Sequence, residues 1–272
     1  MDVSPDDAEY LVRSDHRVRV LELLAEHPHG RRDLREATGA SSPTMGRILT
    51  DFEDRGWIVR TGRSYELTPL GEFVADRLGE FRDAMQLERA LRDVAQWLPH
   101  EIDGFSVGLF TDAVVSYPGP GYPYRPIERF TSLLRETQTM RGFGMAILKS
   151  SNLEAFFDRA LEGLDCEYVY PPAVFEELLS WDEETVRKAA SRSNYTVLVH
   201  DALPRSEWCG VCLLDERVSI CCYDPETGHL RALVDTESGE MRNWAEATYE
   251  RYRNEARPLD ATDEVISSEP SS

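Results

Sequence analysis

The stretch "ASSPTMGRILTDFEDRGWIVRTGRSYEL", residues 40–67, decides how this chain is read. Ser42 fits a helix N-cap, with Pro43 at the first helical position. Met45, Ile48, Leu49 and Phe52 then recur at i, i+3, i+4 and i+7, which puts them on one buried helix face. Thr44, Arg47 and Asp51 lie on the opposite face, and Gly56 closes the helix. The next residues, "WIVR-TGRS-YEL", have the pattern of two short strands around a glycine-containing turn.

Upstream, residues 6–26 have Leu11, Val18, Leu21 and Leu24 near helical spacing, which predicts one helix stopped by "HPHG". "RRDLREATG" predicts a short second helix ended by Gly39. Helix, helix, turn, helix and hairpin in that order make a winged helix-turn-helix over residues 1–67. In that fold the third helix enters the major groove by its N-terminal end and the hairpin lies along the backbone. Thr44, Arg47 and Ser42 are therefore the candidates for base contacts, and Arg31, Arg32, Arg60 and Arg63 for phosphate contacts. The competing use of such a domain is protein contact. His27 and His29 flank Pro28 in the expected loop; they, like His16, are read as non-metal positions.

The charge balance is strongly acidic: 50 acids against 30 bases give a net charge of −20. Only Lys149 and Lys188 are lysine among those bases. Acidity with so little lysine fits a high-salt cytoplasm, where carboxylates stay hydrated and salt screens self-repulsion. A GC-rich genome is the alternative source of the arginine bias. Residues 31–63 run against the trend, with seven arginines against five acids. That weakly basic island coincides with the helices and hairpin just described. The acidic N-terminus and the lack of any long apolar run argue for a soluble cytoplasmic protein with no membrane partner.

Residues 68–99 contain Val74, Leu78, Phe81 and Met85 in one stripe and Leu87, Leu91, Val94 and Leu98 in another. One curved helix, or two with a break, serves as a connector and a homodimer contact, because operators commonly repeat by half-sites. From residue 100 to 258 strand and helix patterns alternate. Strands are expected over 105–118, 141–148, 165–171, 195–202, 208–223 (as a hairpin) and 230–236. Helices are expected over 126–137, 152–164, 172–193 (as a pair) and 239–257. This mixture predicts an α+β chain with a mixed α/β C-terminal domain and a disordered tail over 259–272.

"EWCGVCLLDERVSICCYD", residues 207–224, holds four of the five cysteines. A redox Cys-x-x-Cys pair needs its first cysteine at a helix N-terminus. Here the following residues read as strand, turn and strand. Residues three apart on a strand face opposite ways, so Cys209 and Cys212 do not share a metal without a bend. With Asp215-Glu216 as the turn, Cys209 pairs with Cys222 and Cys212 with Ser219. Direct cross-strand neighbours have Cβ atoms about 4.5–5.5 Å apart, near disulfide reach. Cys209 and Cys222 are thus either a reversible redox pair or small buried hydrophobes. No metal or cofactor is expected.

Several segments together carry a resemblance: "DHRVRVLELLAE", "REATGASSPTMGRIL", "ELTPLG", "VAQWLP", "YRPIERFTSLLRE", "LLDERVSICCYD" and "WAEATYERYRNEARP". Over about residues 10–258 the chain resembles haloarchaeal winged-helix transcriptional regulators whose second half is similar to the methanogenesis-regulator (FilR-type) middle domain. The resemblance implies a regulator that binds double-stranded DNA and senses an effector with its C-terminal domain. It brings no catalytic residues. The cysteines depart from that family's small and glycine residues. More distantly, the second half resembles phospholipase-D-like sensor domains. An active phospholipase D carries His-x-Lys, whereas His200 here is followed by Asp201 and Ala202. No Gly-x-Ser-x-Gly, phosphate-binding glycine loop or His-Glu-x-x-His is present. The expectation is a non-enzymatic regulator with an unidentified small-molecule effector. The alternatives are a DNA-tethered enzyme or thiol-redox protein, and a protein-interaction adaptor.

Overall fold

The computed structural model describes residues 5–110, 112–144, 151–203, 209–224 and 230–259. The chain divides into two units, Met1–Gln86 and Leu87–Ser272. The division falls inside the 68–99 segment.

The first unit begins with α1 (Pro5–Val12) and α2 (Asp15–Glu26), where the sequence suggested one helix. The break is at Ser14, which is extended (φ −145°, ψ 111°). Its carbonyl accepts from Arg17 N at 2.9 Å and so starts a new helix. Serine favours such cap positions over helix interiors. After β1 (His29–Gly30) come α3 (Arg31–Thr38) and α4 (Ser42–Asp54). Gly39 ends α3 in the left-handed region at φ +70°. Met45, Ile48, Leu49 and Phe52 are all buried, as their spacing requires.

β2 (Ile58–Thr61) and β3 (Ser64–Leu67) form the hairpin. Thr61 pairs with Ser64, leaving Gly62 and Arg63 as the turn. Gly62 takes φ +64°, and a two-residue hairpin turn between twisted strands needs such a positive φ. β1 adds a third strand, so the sheet runs β1-β3-β2. That strand was not expected from the sequence. α5 (Pro69–Leu91) then starts with Thr68 Oγ1 accepting from Gly71 N at 3.1 Å. Val74 and Leu78 pack on the core of this unit.

In the second unit, helix α5 stops at Leu91 and a short 3-10 turn comes after it at Ala95–Trp97. The 105–118 strand is mostly absent. Val107–Leu109 is a 3-10 turn capped by Ser106, and among the described residues of that segment the strand is β4 (Val114–Ser116). Then come α6 (Arg125–Glu136), β5 (Thr139–Gly144), α7 (Ser151–Glu162), β6 (Asp165–Tyr170), α8 (Pro172–Ala190) and β7 (Tyr195–Val199). α8 is interrupted at Asp182, whose Oδ1 accepts from Thr185 N at 3.0 Å and caps the second half. The chain continues through β8 (Cys209–Leu214), β9 (Arg217–Tyr223), β10 (Leu230–Thr236), α9 (Gly239–Glu255) and β11 (Arg257–Pro258). Residues 145–148 of the expected strand, Trp208 of the cysteine motif and residues 260–272 of the tail lie outside the described residues.

The eight strands form one sheet in the order β11-β7-β6-β5-β8-β9-β10-β4. β5, β6 and β7 are parallel; the described pairings of the other strands are antiparallel. α6, α7 and α8 cover one face, through Phe130, Phe157 and Phe175. α9 and residues 91–110 cover the other, through Trp244, Tyr249 and Phe110. Both faces are buried, so the unit is a three-layer α+β domain. Among the described residues no helix is long and apolar enough to cross a membrane.

Candidate nucleic-acid interface

Helix α4, the recognition-helix candidate, starts one residue earlier than expected. Ser41, not Ser42, is the N-cap: its Oγ accepts from Thr44 N at 3.3 Å and lies 2.8 Å from Thr44 Oγ1. With two serines before Pro43, proline fits the first or second helical position equally, so sequence alone did not separate them. Ser42 stays exposed, and its carbonyl accepts from Arg31 Nη2 at 2.8 Å. The Arg31 guanidinium also lies over Gly46, where an added Cβ would come within 2.7 Å of Nη2. Arg31 thus braces α3 against α4 while remaining on the surface.

The other expected contacts differ in how free they are. Arg47 is exposed on α4, and Arg63 is exposed at the hairpin turn. Neither guanidinium has a partner among the described residues. Arg32 is paired with Glu36 at 2.8 Å, which raises the arginine's pKa and lowers the glutamate's. Both ends of that pair are solvated, so it contributes little and opens readily. Arg60 Nε donates to the Gly62 carbonyl at 3.2 Å, and its guanidinium lies 5.9 Å from the Tyr65 ring centre. The arginine is thereby laid along the hairpin.

A second cluster explains why other charges of the island stay out of this face. Tyr10 donates to Asp51 Oδ2 at 2.7 Å, with Arg17 at 3.7 Å and Arg55 at 4.1 Å over its ring. Arg55 also meets Asp7 at 3.1 Å. Burial, then the hydrogen bond to Asp51, pushes the Tyr10 phenol up to about 12. The latch ties α1 to α4 and commits Arg17, Arg55 and Asp51 to each other. No helical periodicity flagged it, because its members lie far apart in sequence.

In the second unit Cys209 faces Cys222 and Cys212 faces Ser219, the register expected from an Asp215-Glu216 turn. Cys209 and Cys222 belong to the α9 side of the sheet; Cys212, Cys221 and Cys166 belong to the other. All five are free and buried. Burial pushes the Cys222 thiol up to about 12, and Cys166 and Cys209 upward as well. The protonated thiol is the unreactive form. No cluster of three or more histidine, cysteine or acidic side chains suited to a metal occurs among the described residues. His200 lies just after β7. Its Nδ1 accepts from Ala202 N at 3.1 Å, and its Nε2 lies 3.3 Å from Glu255 Oε2.

Two family models match the chain. Residues 5–90 match the HVO_A0261 N-terminal domain, and residues 123–255 match the middle domain of the methanogenesis regulatory protein FilR1. The chain thus has an HVO_A0261-type N-terminal part followed by a FilR1-type middle part. The bracing arginine, the latch and the wing all belong to the HVO_A0261-type part, and the cysteine hairpin to the FilR1-type part. No curated protein matches the chain. Among solved structures, it is similar to TrmBL2, an archaeal chromatin protein, at 12% identity over 94% of this chain and 100% of that one (TM-score 0.41). It is similar to MepR, a transcription regulator of the Staphylococcus aureus multidrug efflux pump MepA, at 19% identity over 35% and 73% (TM-score 0.29). It is also similar to Nuc, a phospholipase D family member from Salmonella typhimurium, at 12% identity over 54% and 97% (TM-score 0.40). Likenesses this distant add nothing to the two family matches.

Proposed function

We propose that this chain is a sequence-specific transcription regulator that binds double-stranded DNA as a homodimer. Its FilR1-type domain senses a small-molecule effector and performs no catalysis. The observation that carries the reading is the pair of unpartnered arginines, Arg47 on the exposed face of α4 and Arg63 at the wing turn. A helix face presenting a free arginine suits a guanine edge in the major groove. A wing-tip arginine suits a phosphate.

The test is fluorescence anisotropy on a selected duplex and on random duplexes. Arg47→Ala should weaken binding to the selected duplex by about 1–3 kcal/mol and narrow its advantage over random DNA. Arg63→Ala should weaken both alike and reduce the salt slope by about one. Equal loss on both duplexes for Arg47→Ala removes that residue from base readout.

The cysteine hairpin is a packing element in this reading. Burial of both side chains keeps a dissolved oxidant from the Cys209–Cys222 pair. In the native protein a thiol reagent should label none of the five cysteines within minutes, and all five in denaturant. Rapid native labelling of Cys209 would favour the redox pair instead.

A further inference from the structure

The short strand β1 brings two histidines to the same surface. His29 pairs with Tyr65 and Gly30 with Ser64, so β1 runs beside the strand that leaves the wing turn. A Cβ on Gly30 would lie 3.7 Å from the Arg63 carbonyl. The next residue, Arg31, lies over Gly46, one position from Arg47. Arg31, Gly30 and the wing turn at Arg63 are therefore neighbours, with His29 adjoining them.

The rings of His27 and His29 stack at 4.0 Å, 15° from parallel. His29 Nδ1 lies 2.8 Å from the His27 carbonyl, and His27 Nδ1 lies 3.2 Å from the Pro28 carbonyl. A carbonyl oxygen only accepts, so each Nδ1 carries the hydrogen. Each Nε2 is left without a hydrogen-bond partner among the described residues. In the neutral ring it is a bare acceptor and repels a phosphate oxygen. In the protonated ring it is a charged donor that suits one. The tautomer imposed by the backbone thus makes anion binding conditional on protonation.

The charged groups on the surrounding elements include Glu26 at the end of α2, Arg31, Arg32, Asp33, Arg35 and Glu36 on α3, Glu66 on β3 and Arg63 at the hairpin turn. Tyr65 on β3 is the neighbouring phenol. Asp33 Oδ2 already accepts from Gly30 N at 3.2 Å.

We propose that the stacked His27 and His29 form a proton-dependent phosphate-binding site at the edge of the DNA interface. The proposal rests on the DNA-binding reading above. Two stacked imidazolium rings repel each other, and a phosphate beside the stack relieves that repulsion. DNA binding therefore takes up protons at this site.

The experiment is anisotropy with a 20-base-pair duplex of selected sequence and one of random sequence, between about pH 5.5 and 8, the range in which histidine changes charge. Wild-type affinity for both duplexes should fall about tenfold as pH rises, because one charge-assisted contact is lost. The double variant His27→Gln, His29→Gln should be flat with pH and equal to wild type at the alkaline end. Arg63→Ala should be weaker throughout and keep the pH dependence. A pH dependence that survives in the double variant, or is missing in wild type, overturns the histidine site and leaves the DNA-binding reading standing. No binding by wild type to either duplex at any pH overturns that reading and the site with it.

Discussion

Asp235→Ala should destabilise the C-terminal unit by about 3 kcal/mol, read as a lower midpoint in denaturant titration followed by tryptophan fluorescence. Asp235 is fully buried on β10. Arg129 of α6 clamps it with both sides of the guanidinium, Nε to Oδ1 at 2.9 Å and to Oδ2 at 3.3 Å, and Nη2 to Oδ2 at 2.8 Å. Arg217 of β9 approaches Oδ2 at 3.4 Å. Removing the carboxylate takes from Arg129 its partner on β10 and leaves Arg217 with Glu237 alone among the described residues. Truncating one partner of a buried pair typically costs about 3–5 kcal/mol. The low end applies because Arg129 and Arg217 keep 32% and 24% of their side chains in solvent and can rehydrate. The loss should persist at high salt, since a buried pair is poorly screened. An unchanged midpoint would mean that the cluster contributes nothing to holding α6 on the sheet.

Gly71→Ala should destabilise the winged-helix unit by about 2 kcal/mol or more, although the substitution lies in a helix. An exposed helical glycine replaced by alanine ordinarily gains about 1 kcal/mol. Here the new Cβ would lie 1.8 Å from the Trp57 carbonyl oxygen and 2.8 Å from its carbon. Both are backbone atoms, so no side chain can turn aside. The same carbonyl accepts from Thr68 N at 2.9 Å, which fixes the start of α5 against the end of the preceding turn. Overpacking of this kind costs about 1–3 kcal/mol and sometimes more, and it must also cancel the propensity gain. A thermal scan showing equal or higher stability for the variant would mean that α5 does not start against the Trp57 carbonyl.

These two positions show where the sequence was legible and where it was not. The α4 face was legible because four apolar residues at helical spacing make a periodic signal, and all four are buried. The wing was legible from one glycine, since Gly62 is the residue that tolerates the turn's positive φ. The cysteine register came from turn length alone. Asp235 and Gly71 gave no such sign. A buried carboxylate looks like any other acid in a chain with 50 of them. The need for glycine at position 71 comes from a carbonyl fourteen residues away.

The local misreadings have physical reasons as well. Ser14 interrupts a helix whose apolar spacing continues across it, because its carbonyl starts a second helix at that point. β1 has only two residues, too few for any alternation to show, and it exists through pairing with β3. The 105–118 segment is rich in strand formers, yet Ser106 caps a 3-10 turn there and Phe110 packs inward from it. In the candidate interface, sequence named Arg31 for phosphate but could not show that its guanidinium also reaches the Ser42 carbonyl. It also passed over His27 and His29, which become neighbours of the wing only once β1 forms.

Whether α4 and the wing read DNA sequence is decided by selecting bound duplexes from a random-sequence pool with the full-length wild-type chain, and with Arg47→Ala in parallel. Wild type should enrich one short motif, repeated at centres about 10 base pairs or a multiple apart, as a two-fold dimer requires. Arg47→Ala should retain DNA but enrich a motif degenerate at one position. A pool that stays random after repeated rounds, or one that recovers the same motif with and without Arg47, would rule out sequence reading by this face.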